Sequence, residues 1–369
     1  MKKILLVCVN GLLVIAFVVC LAVSGSIKKT LLSQQAASVW AGQNGERFAQ
    51  VSAFLPSGAE FDEMAVYNLN ESIEKSLTDA SLEAGEGGSL YADAWSAVGE
   101  VFIIGARGST TAQAYGVGGS FFLFHPLYLR DGSYISQNDI MKDRVVLDEE
   151  LAWRLFGSVN LAGLEVTIGG RQHIIAGVVS REDDFASSRA YTGGAGLFMS
   201  YESLLEQTGG MAEITCYEIV MPDPISGFAL QTITDAFQGK GAVIVENSAR
   251  YSLSGVLGVF RGFGDRSMRA DGVIFPYWEN AARYTEDWLA LLLILTFVFI
   301  SFPVVCGVVY GIRGIRFIKK SSVSSVKKRL EERDDREAEK YRQEHEAEFV
   351  IPTLEEIIRE VRDGQEKEK

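Results

Sequence analysis

Two long apolar segments, Ile4 to Val23 and Trp288 to Ile312, bracket a long stretch of mixed polar and apolar chain. Each is long enough to cross the hydrocarbon core of a bilayer as a helix, which takes about 20 residues. Whatever core residues 25–287 build must therefore form between two membrane attachments. Lys2 and Lys3 precede the first segment, and Arg313, Arg316, Lys319, Lys320, Lys327, Lys328 and Arg329 follow the second. By the positive-inside rule both chain ends are expected in the cytoplasm and the middle outside. Lys28 and Lys29 count against the first assignment, but the cluster after Ile312 is larger. A cleaved signal peptide has the same order of features, with an apolar run of about 7–15 residues. Ile4 to Val23 is longer and interrupted only by Asn10 and Gly11, so an uncleaved anchor is expected. The expected layout is a cytoplasmic N-terminus (1–3), a first transmembrane helix (4–24), an extracytoplasmic domain (25–287), a second transmembrane helix (288–312) and a charged cytoplasmic tail (313–369).

Charge is as unevenly distributed as apolarity. Residues 25–287 hold 33 acidic against 18 basic side chains, whereas the tail from Arg313 holds 15 of each. An acidic outer domain repels nucleic acid, so no nucleic-acid partner is expected. Of the four cysteines, Cys8, Cys20 and Cys306 lie in the apolar segments and only Cys216 lies between them, which rules out an intrachain disulfide in the outer domain. A domain of this length can bury a core without one. Cys216 alternates with polar neighbours in a strand-like run and reads as a small buried apolar residue.

Along the chain, Ser33 to Ala41 keeps helix-forming composition and suggests that the first membrane helix continues outward as a stalk. A strand is expected from Arg47 to Leu55. An amphipathic helix follows over Phe61 to Leu82, with Val66, Leu69, Ile73, Leu77 and Ala80 on one face and a glycine-rich break at Gly85 to Gly88. A second strand begins at Glu100, completing a β-α-β unit. Beyond Gly116 the pattern becomes β-rich: Phe121 to Phe124 reads as a short strand, Arg130 to Gly132 as a turn, and Arg144 to Leu147 as a strand. Asp148 then caps a helix through Leu155. Gly163 to Ile168 and Gln172 to Val179 flank Gly169-Gly170 as a hairpin. Ser180 to Gly196 reads as a mobile loop. Ile214 to Met221, a helix over Ile225 to Phe237, and Gly241 to Val245 form a second β-α-β set. A helix after Pro276 runs into the second apolar segment, placing Tyr277, Trp278, Tyr284 and Trp288 where an interfacial aromatic belt is expected.

Within that segment Gly307 and Gly311 have the small-xxx-small spacing of closely packed membrane helices, making them candidate helix-packing residues. Ser324 to Glu348 is a highly charged, solvated helix. After Pro352, Thr353 and Glu356 form a capping box, and Leu354, Ile357, Ile358 and Val361 share one face. A helix this short cannot bury such a face by itself. These four residues are candidate docking positions for a cytoplasmic partner.

Chemistry-bearing constellations are scarce. His125, His173 and His345 are far apart, and Gly116 to Gly119 and Gly193 to Gly196 lack the Gly-Lys-Ser/Thr of a phosphate-binding loop and read as turns or flexible loops. Glu182-Asp-Asp184 lacks the alternating ligands of a calcium loop. No catalytic residue, cofactor site or metal site is assigned.

One ordered set of segments resembles a known family: Gly118-Gly-Ser-Phe-Phe-Leu-Phe-His125, Asp143-Arg-Val-Val-Leu-Asp-Glu-Glu-Leu-Ala152, Leu155-Phe-Gly157, Asn160-Leu-Ala-Gly163, Val166-Thr-Ile-Gly-Gly170 and Ile174-Ile-Ala-Gly-Val-Val179. Together they look like the extracytoplasmic core domain of MacB/FtsX-type ABC transporter permeases, best over Gly116 to Val179. The resemblance implies an α+β, two-lobed extracytoplasmic domain, with a β-α-β lobe and a β-rich inserted lobe at about 116–205. It also implies a non-catalytic permease-like subunit that works with a separate cytoplasmic ABC ATPase in export or mechanotransmission at the cell envelope. The family carries a bundle of three membrane helices after this domain. The present chain shows one apolar segment and a charged tail there, so its expected partners include a multi-span permease chain, or a second copy in a homo- or hetero-dimer, alongside membrane lipid. The alternative is a two-helix sensor or scaffold whose ectodomain binds a ligand or envelope protein and signals through the tail. An anchored hydrolase has no convergent nucleophile, base or metal set to support it.

Overall fold

The computed structural model describes residues 2–42, 47–82, 88–191, 196–263, 272–346 and 354–365. By its internal contacts the chain divides into two units, Ile15–Phe297 and Met1–Val14 with Val298–Lys369.

The helix α1 (Lys2–Thr30), whose part from Ile15 onward belongs to the first of these units, ends at Thr30 and does not continue as a straight stalk. Leu31 is extended and buried, and a 3-10 turn (Leu32–Gln34) leads into the short helix α2 (Ala36–Ala41). The reason is tertiary. The buried side chain of Gln50, on strand β1 (Phe48–Phe54), accepts from the Ala36 amide at 3.1 Å and donates to the Ser33 carbonyl at 2.8 Å. Those bonds satisfy helix-end groups that a straight stalk would have left to its own backbone.

The strands of this unit join one ten-stranded sheet in the order β10-β1-β9-β2-β3-β8-β5-β7-β4, with β6 pairing both β2 and β7. Here β2 is Ala92–Gly105, β3 Gly108–Gly119, β4 Tyr128–Gly132, β5 Arg144–Asp148, β6 Glu165–Ile168, β7 Arg171–Ser180, β8 Gly196–Ser200, β9 Ile214–Pro222 and β10 Val243–Glu246. Pairing is antiparallel except for β3 with β8 and β5 with β7. The first four strands, with α3 (Glu63–Asp79) after β1 and α8 (Phe228–Ala236) after β9, form a split β-α-β arrangement. The long β2–β3 hairpin, running from Ala94 opposite Gly119 to Gly105 opposite Gly108, joins them to the rest.

Both faces are covered. Val66, Leu69, Ile73 and Leu77 of α3 bury the stripe seen in the sequence, beside Leu151 and Leu155 of α5 (Glu149–Phe156), Leu204 of α7 (Tyr201–Gln207) and Ile233 of α8. The Asp148 carboxylate accepts from the Leu151 amide at 2.6 Å, the cap expected for α5. The opposite face is packed by α2, by α4 (Phe121–Phe124), and by the first turns of α10 (Tyr277–Glu346). Alternation in β1 shows the division: Val51 and Ala53 face the first core, whereas Phe54 faces the second and Gln50 holds α2.

Several sequence expectations change. Phe121–Phe124 forms a helical turn, because Phe121 and Phe124 both enter one core, which alternate strand positions could not do. Arg130–Gly132 belongs to β4, where Gly132 meets Gly177 of β7. The second strand starts at Ala92, and the boundary placed at Gly116 lies inside β3. The glycines of that stretch are packing positions, not flexible loop: a Cβ on Gly116 would lie 2.7 Å from Leu204, and one on Gly118 would lie 2.1 Å from the Trp95 ring. Ser180 to Gly196 includes the short helix α6 (Ser187–Ala190); Gly193 and residues 194–195, like most of the Gly85–Gly88 break, lie outside the described residues.

In the second unit α10 carries its helix through Pro303 and on to Glu346, and α11 spans Leu354–Gln365. Leu354, Ile357, Ile358 and Val361 are all exposed; Thr353 of the expected capping box lies outside the described residues. A Cβ on Gly307 or Gly311 would meet nothing within 4 Å.

Candidate functional site

The first turns of α10 are embedded in the second core rather than ringed by lipid. Tyr277, Trp278, Ala281, Ala282 and Thr285 are buried at helical spacing. Tyr277 and Trp278 therefore leave the expected aromatic belt, while Tyr284 is half-buried and Trp288 is 37% exposed. Aromatic side chains bury so much apolar area that a nearby sheet face competes well with an interface for them.

Arg250 lies beneath this helix, in the turn after β10. Its Nη2 donates to Glu279 Oε1 at 2.5 Å, its Nε to Glu286 Oε1 at 2.7 Å, and its Nη1 to Gln34 Oε1 at 3.1 Å. Arg283, one turn along, also donates to Glu279 at 2.6 Å. Arg250 and Glu279 have 2% and 1% of their side chains exposed, so the charges sit in a low-dielectric interior. Burial alone disfavours the guanidinium charge, yet Glu279 and Glu286 outweigh it and hold the Arg250 pKa above the usual arginine value. One planar fork thus ties the start of α10 to the segment that follows α1, a bidentate role that a lysine point charge cannot reproduce. Lys28, in the last turn of α1, adds a bond from its ammonium to the Tyr251 carbonyl at 2.7 Å.

A second buried polar group adjoins the first. His125, at the end of α4, pairs through Nε2 with Glu218 Oε2 on β9. Ser52 on β1, directly opposite Glu218, donates to its other oxygen at 2.9 Å and receives Asn247 Nδ2 at 2.6 Å. The imidazole packs between Phe121, 4.6 Å away, and Trp278, 4.3 Å away. Two strands, the turn after β10 and α4 thereby share one polar cluster, with Trp278 of α10 packed on its imidazole. Sequence reasoning missed both groups. Placed just past a short strand at Phe121 to Phe124 and far from the other histidines, His125 had no reason to meet Glu218; Arg250 follows no periodic pattern at all. The one available signal was the pair of acids at Glu279 and Glu286, spaced by seven and so stacked on one helix face.

Other expected positions are accounted for separately. Cys216 is buried in β9, and burial pushes its thiol well above the usual value, consistent with an inert packing role. His173 is buried in β7 with Nδ1 3.3 Å from the Arg171 carbonyl; the side chain of His345 lies outside the described residues. Glu182 accepts the Tyr191 hydroxyl and Asp184 caps the amides of Ala186 and Ser187, so these acids serve local structure. Among the described residues no three acidic, histidine or cysteine side chains cluster as a metal site.

Beside the end of the β2–β3 hairpin where Trp95 pairs with Gly118, a cleft of about 390 Å³ opens between Tyr67 on α3, Trp95, Phe122, Lys142 and Glu202. Glu63 at its rim has its carboxyl pKa raised, first by burial and then by Glu202. Lys142 and Glu202 pair at 3.4 Å. Its size and mixed lining suit a small amphipathic group.

Residues 11–231 match the family model of the MacB-like periplasmic core domain. Over 155 residues the chain is 25% identical to the macrolide export ATP-binding/permease protein MacB of Aggregatibacter actinomycetemcomitans, a match covering 40% of this chain and 23% of that one. The chain thus matches less than a quarter of the length of this curated relative. Among solved structures it is similar to the periplasmic region of MacB from Actinobacillus actinomycetemcomitans, with a TM-score of 0.38, 19% identity, and 54% of this chain and 89% of the other covered. It is also similar to the extracellular domain of the noncanonic ABC-type transporter YknZ from Gram-positive bacteria, with a TM-score of 0.37, 16% identity, and 52% and 92% covered. Because the family match takes in more than half of its residues, the chain belongs to the MacB-like periplasmic core domain family.

Proposed function

We propose that this chain is a non-catalytic, permease-like subunit of a MacB/FtsX-type ABC transporter, whose extracytoplasmic sheet is moved through its two helical attachments by a cytoplasmic ATPase. The observation that carries this reading is the Arg250 node, which bonds Gln34 on one attachment and Glu279 and Glu286 on the other. A buried charge with three partners resists separation of those segments. Breaking such an arrangement from one side costs about 3–5 kcal/mol, because it strands charges in the interior. Displacement of either helix is then passed to the sheet instead of being absorbed at a loose joint. In this reading the two ends of the sheet, from β10 to β3 and from β8 to β4, act as the two lobes. The termini are cytoplasmic, Gly307 and Gly311 pack against a partner's membrane helices, and α11 docks in the cytoplasm through Leu354, Ile357, Ile358 and Val361.

Affinity purification of the full chain from its native membranes tests the assignment. Recovery of an ABC ATPase with a multi-span permease chain is expected. Recovery of a kinase or transcriptional regulator without an ATPase would favour the sensor and refute the transport reading.

A further inference from the structure

Helix α9 (Leu253–Arg261) comes between β10 and α10 in the chain and has no part in the Arg250 node. It starts at Ser252, whose hydroxyl accepts from the Gly255 amide at 3.1 Å. One side is closed: Val256 and Val259 pack with Leu289 and Ala290 of α10, with Leu293 and Tyr251 at the edge. The other side is apolar and open. Leu253, Leu257 and Phe260 are 61%, 47% and 42% exposed, and Phe263 just beyond is 64% exposed. Positions 253, 257 and 260 recur at helical spacing, so they form one continuous stripe.

We infer that α9 lies in the plane of the membrane, with this stripe immersed in the outer leaflet. The inference rests on Trp288–Ile312 being a membrane span. Three observations select lipid as the occupant. First, α9 is fixed to α10 at Leu289, Ala290 and Leu293, inside the apolar run that begins at Trp288. At 1.5 Å per residue, Leu293 lies about 7.5 Å along the helix from Trp288. In-plane amphipathic helices insert about 5–10 Å into the headgroup and acyl boundary, which is the same depth. Second, the exposed apolar surface does not stop at α9: Leu291 and Ile294 of α10 are exposed too. Phe185 also sits against Trp288 and Tyr284, at 5.3 Å from each ring, with the Arg189 guanidinium over it at 4.4 Å. Third, residues 248–263 contain no acid, and their exposed charge is that of Arg261, since Arg250 is buried in its node, in a domain with 33 acidic side chains between residues 25 and 287. This local exception to the acidic surface removes the repulsion that phosphate headgroups would otherwise meet.

Depth-dependent quenching on the full-length chain decides the matter. Cys8, Cys20 and Cys306 are changed to alanine, Cys216 stays because it is buried, and an environment-sensitive fluorophore is attached at Leu257→Cys or Phe260→Cys. Phe297→Cys marks the bilayer, and Met141→Cys, on an exposed loop position, marks water. The protein is reconstituted in phosphatidylcholine and phosphatidylglycerol vesicles with or without 5-doxyl lipid, and aqueous iodide serves as the opposing quencher. The inference expects labels at 257 and 260 to be quenched by the doxyl lipid several-fold more than the label at 141, and to be shielded from iodide. It is overturned if those labels follow position 141 while 297 reports lipid. Shielding from iodide without lipid quenching would also overturn it, because a protein surface would then cover the stripe. A label at 297 that behaves as water-exposed would sink both this inference and the span on which it rests.

Discussion

Arg250 concentrates more of the proposed function than any other single residue. Arg250→Met removes the buried guanidinium that bonds both Glu279 and Glu286 and sets an apolar side chain against the two carboxylates, while Arg283 still donates to Glu279. A loss of about 3–5 kcal/mol is expected, read as a fall in the denaturation midpoint of the detergent-solubilised chain. Arg250→Lys keeps the charge but not the fork, so it should recover only part of that loss. His173 supplies a pH dependence. Burial first of all lowers its pKa from the usual 6.5, against the favourable Arg171 carbonyl. The unfolded chain therefore takes up the proton first as pH falls. Stability from this residue is full above pH about 6.5 and is lost as pH falls from there through the depressed folded value. Stability curves of the native chain and His173→Gln should diverge in that interval and run parallel above it. Neither Arg250 nor His125 announces its role in the sequence. Arg250 and Gln34 are 216 positions apart, and His125 and Glu218 are 93 apart, separations at which no local pattern operates.

Elements built on local periodicity were legible: α3 with its buried Val66–Leu69–Ile73–Leu77 stripe, the Asp148 cap of α5, and the β6–β7 hairpin across Gly169-Gly170. Elements whose character comes from their neighbours were not. Ala92 to Gly99 has weak strand propensity, but it is held by β3 on one side and β9 on the other. The glycines at the end of β3 look like loop formers, although their smallness admits Trp95 and α7. Gly119 has φ +62° and a Cβ there would lie 2.4 Å from the Asp93 carbonyl, so Gly119→Ala should destabilise by about 1–3 kcal/mol in chemical denaturation. Gly258, inside α9 with open space around it, gives the contrast: Gly258→Ala should gain up to about 1 kcal/mol from helix propensity. For α11 the exposed Leu354–Val361 face predicts that truncation after Gln343 weakens assembly with the cytoplasmic partner, measured as the yield of co-purified ATPase. Unchanged yield would remove the docking role.

At the scale of the whole molecule, the domain is not complete at the edge of its sheet. Tyr277, Trp278, Ala281 and Ala282 of α10 are part of its second core. A soluble fragment of residues 25–293 should therefore melt cooperatively, whereas residues 25–275 should lose near-ultraviolet circular dichroism and the cooperative transition. A fully cooperative shorter fragment would refute the idea that helix and sheet move as one body. The apolar segments, the acidic surface between them and the ordered motifs from Gly118 to Val179 were set by the sequence itself, because length, charge and local periodicity act over one or a few turns of chain. What only the tertiary structure decided is how the two attachments meet the sheet: the break of α1 at Leu31, the burial of Tyr277 and Trp278, and the junction at Arg250. These depend on which distant surfaces compete for the same side chains, and that competition exists only once the chain has folded back on itself.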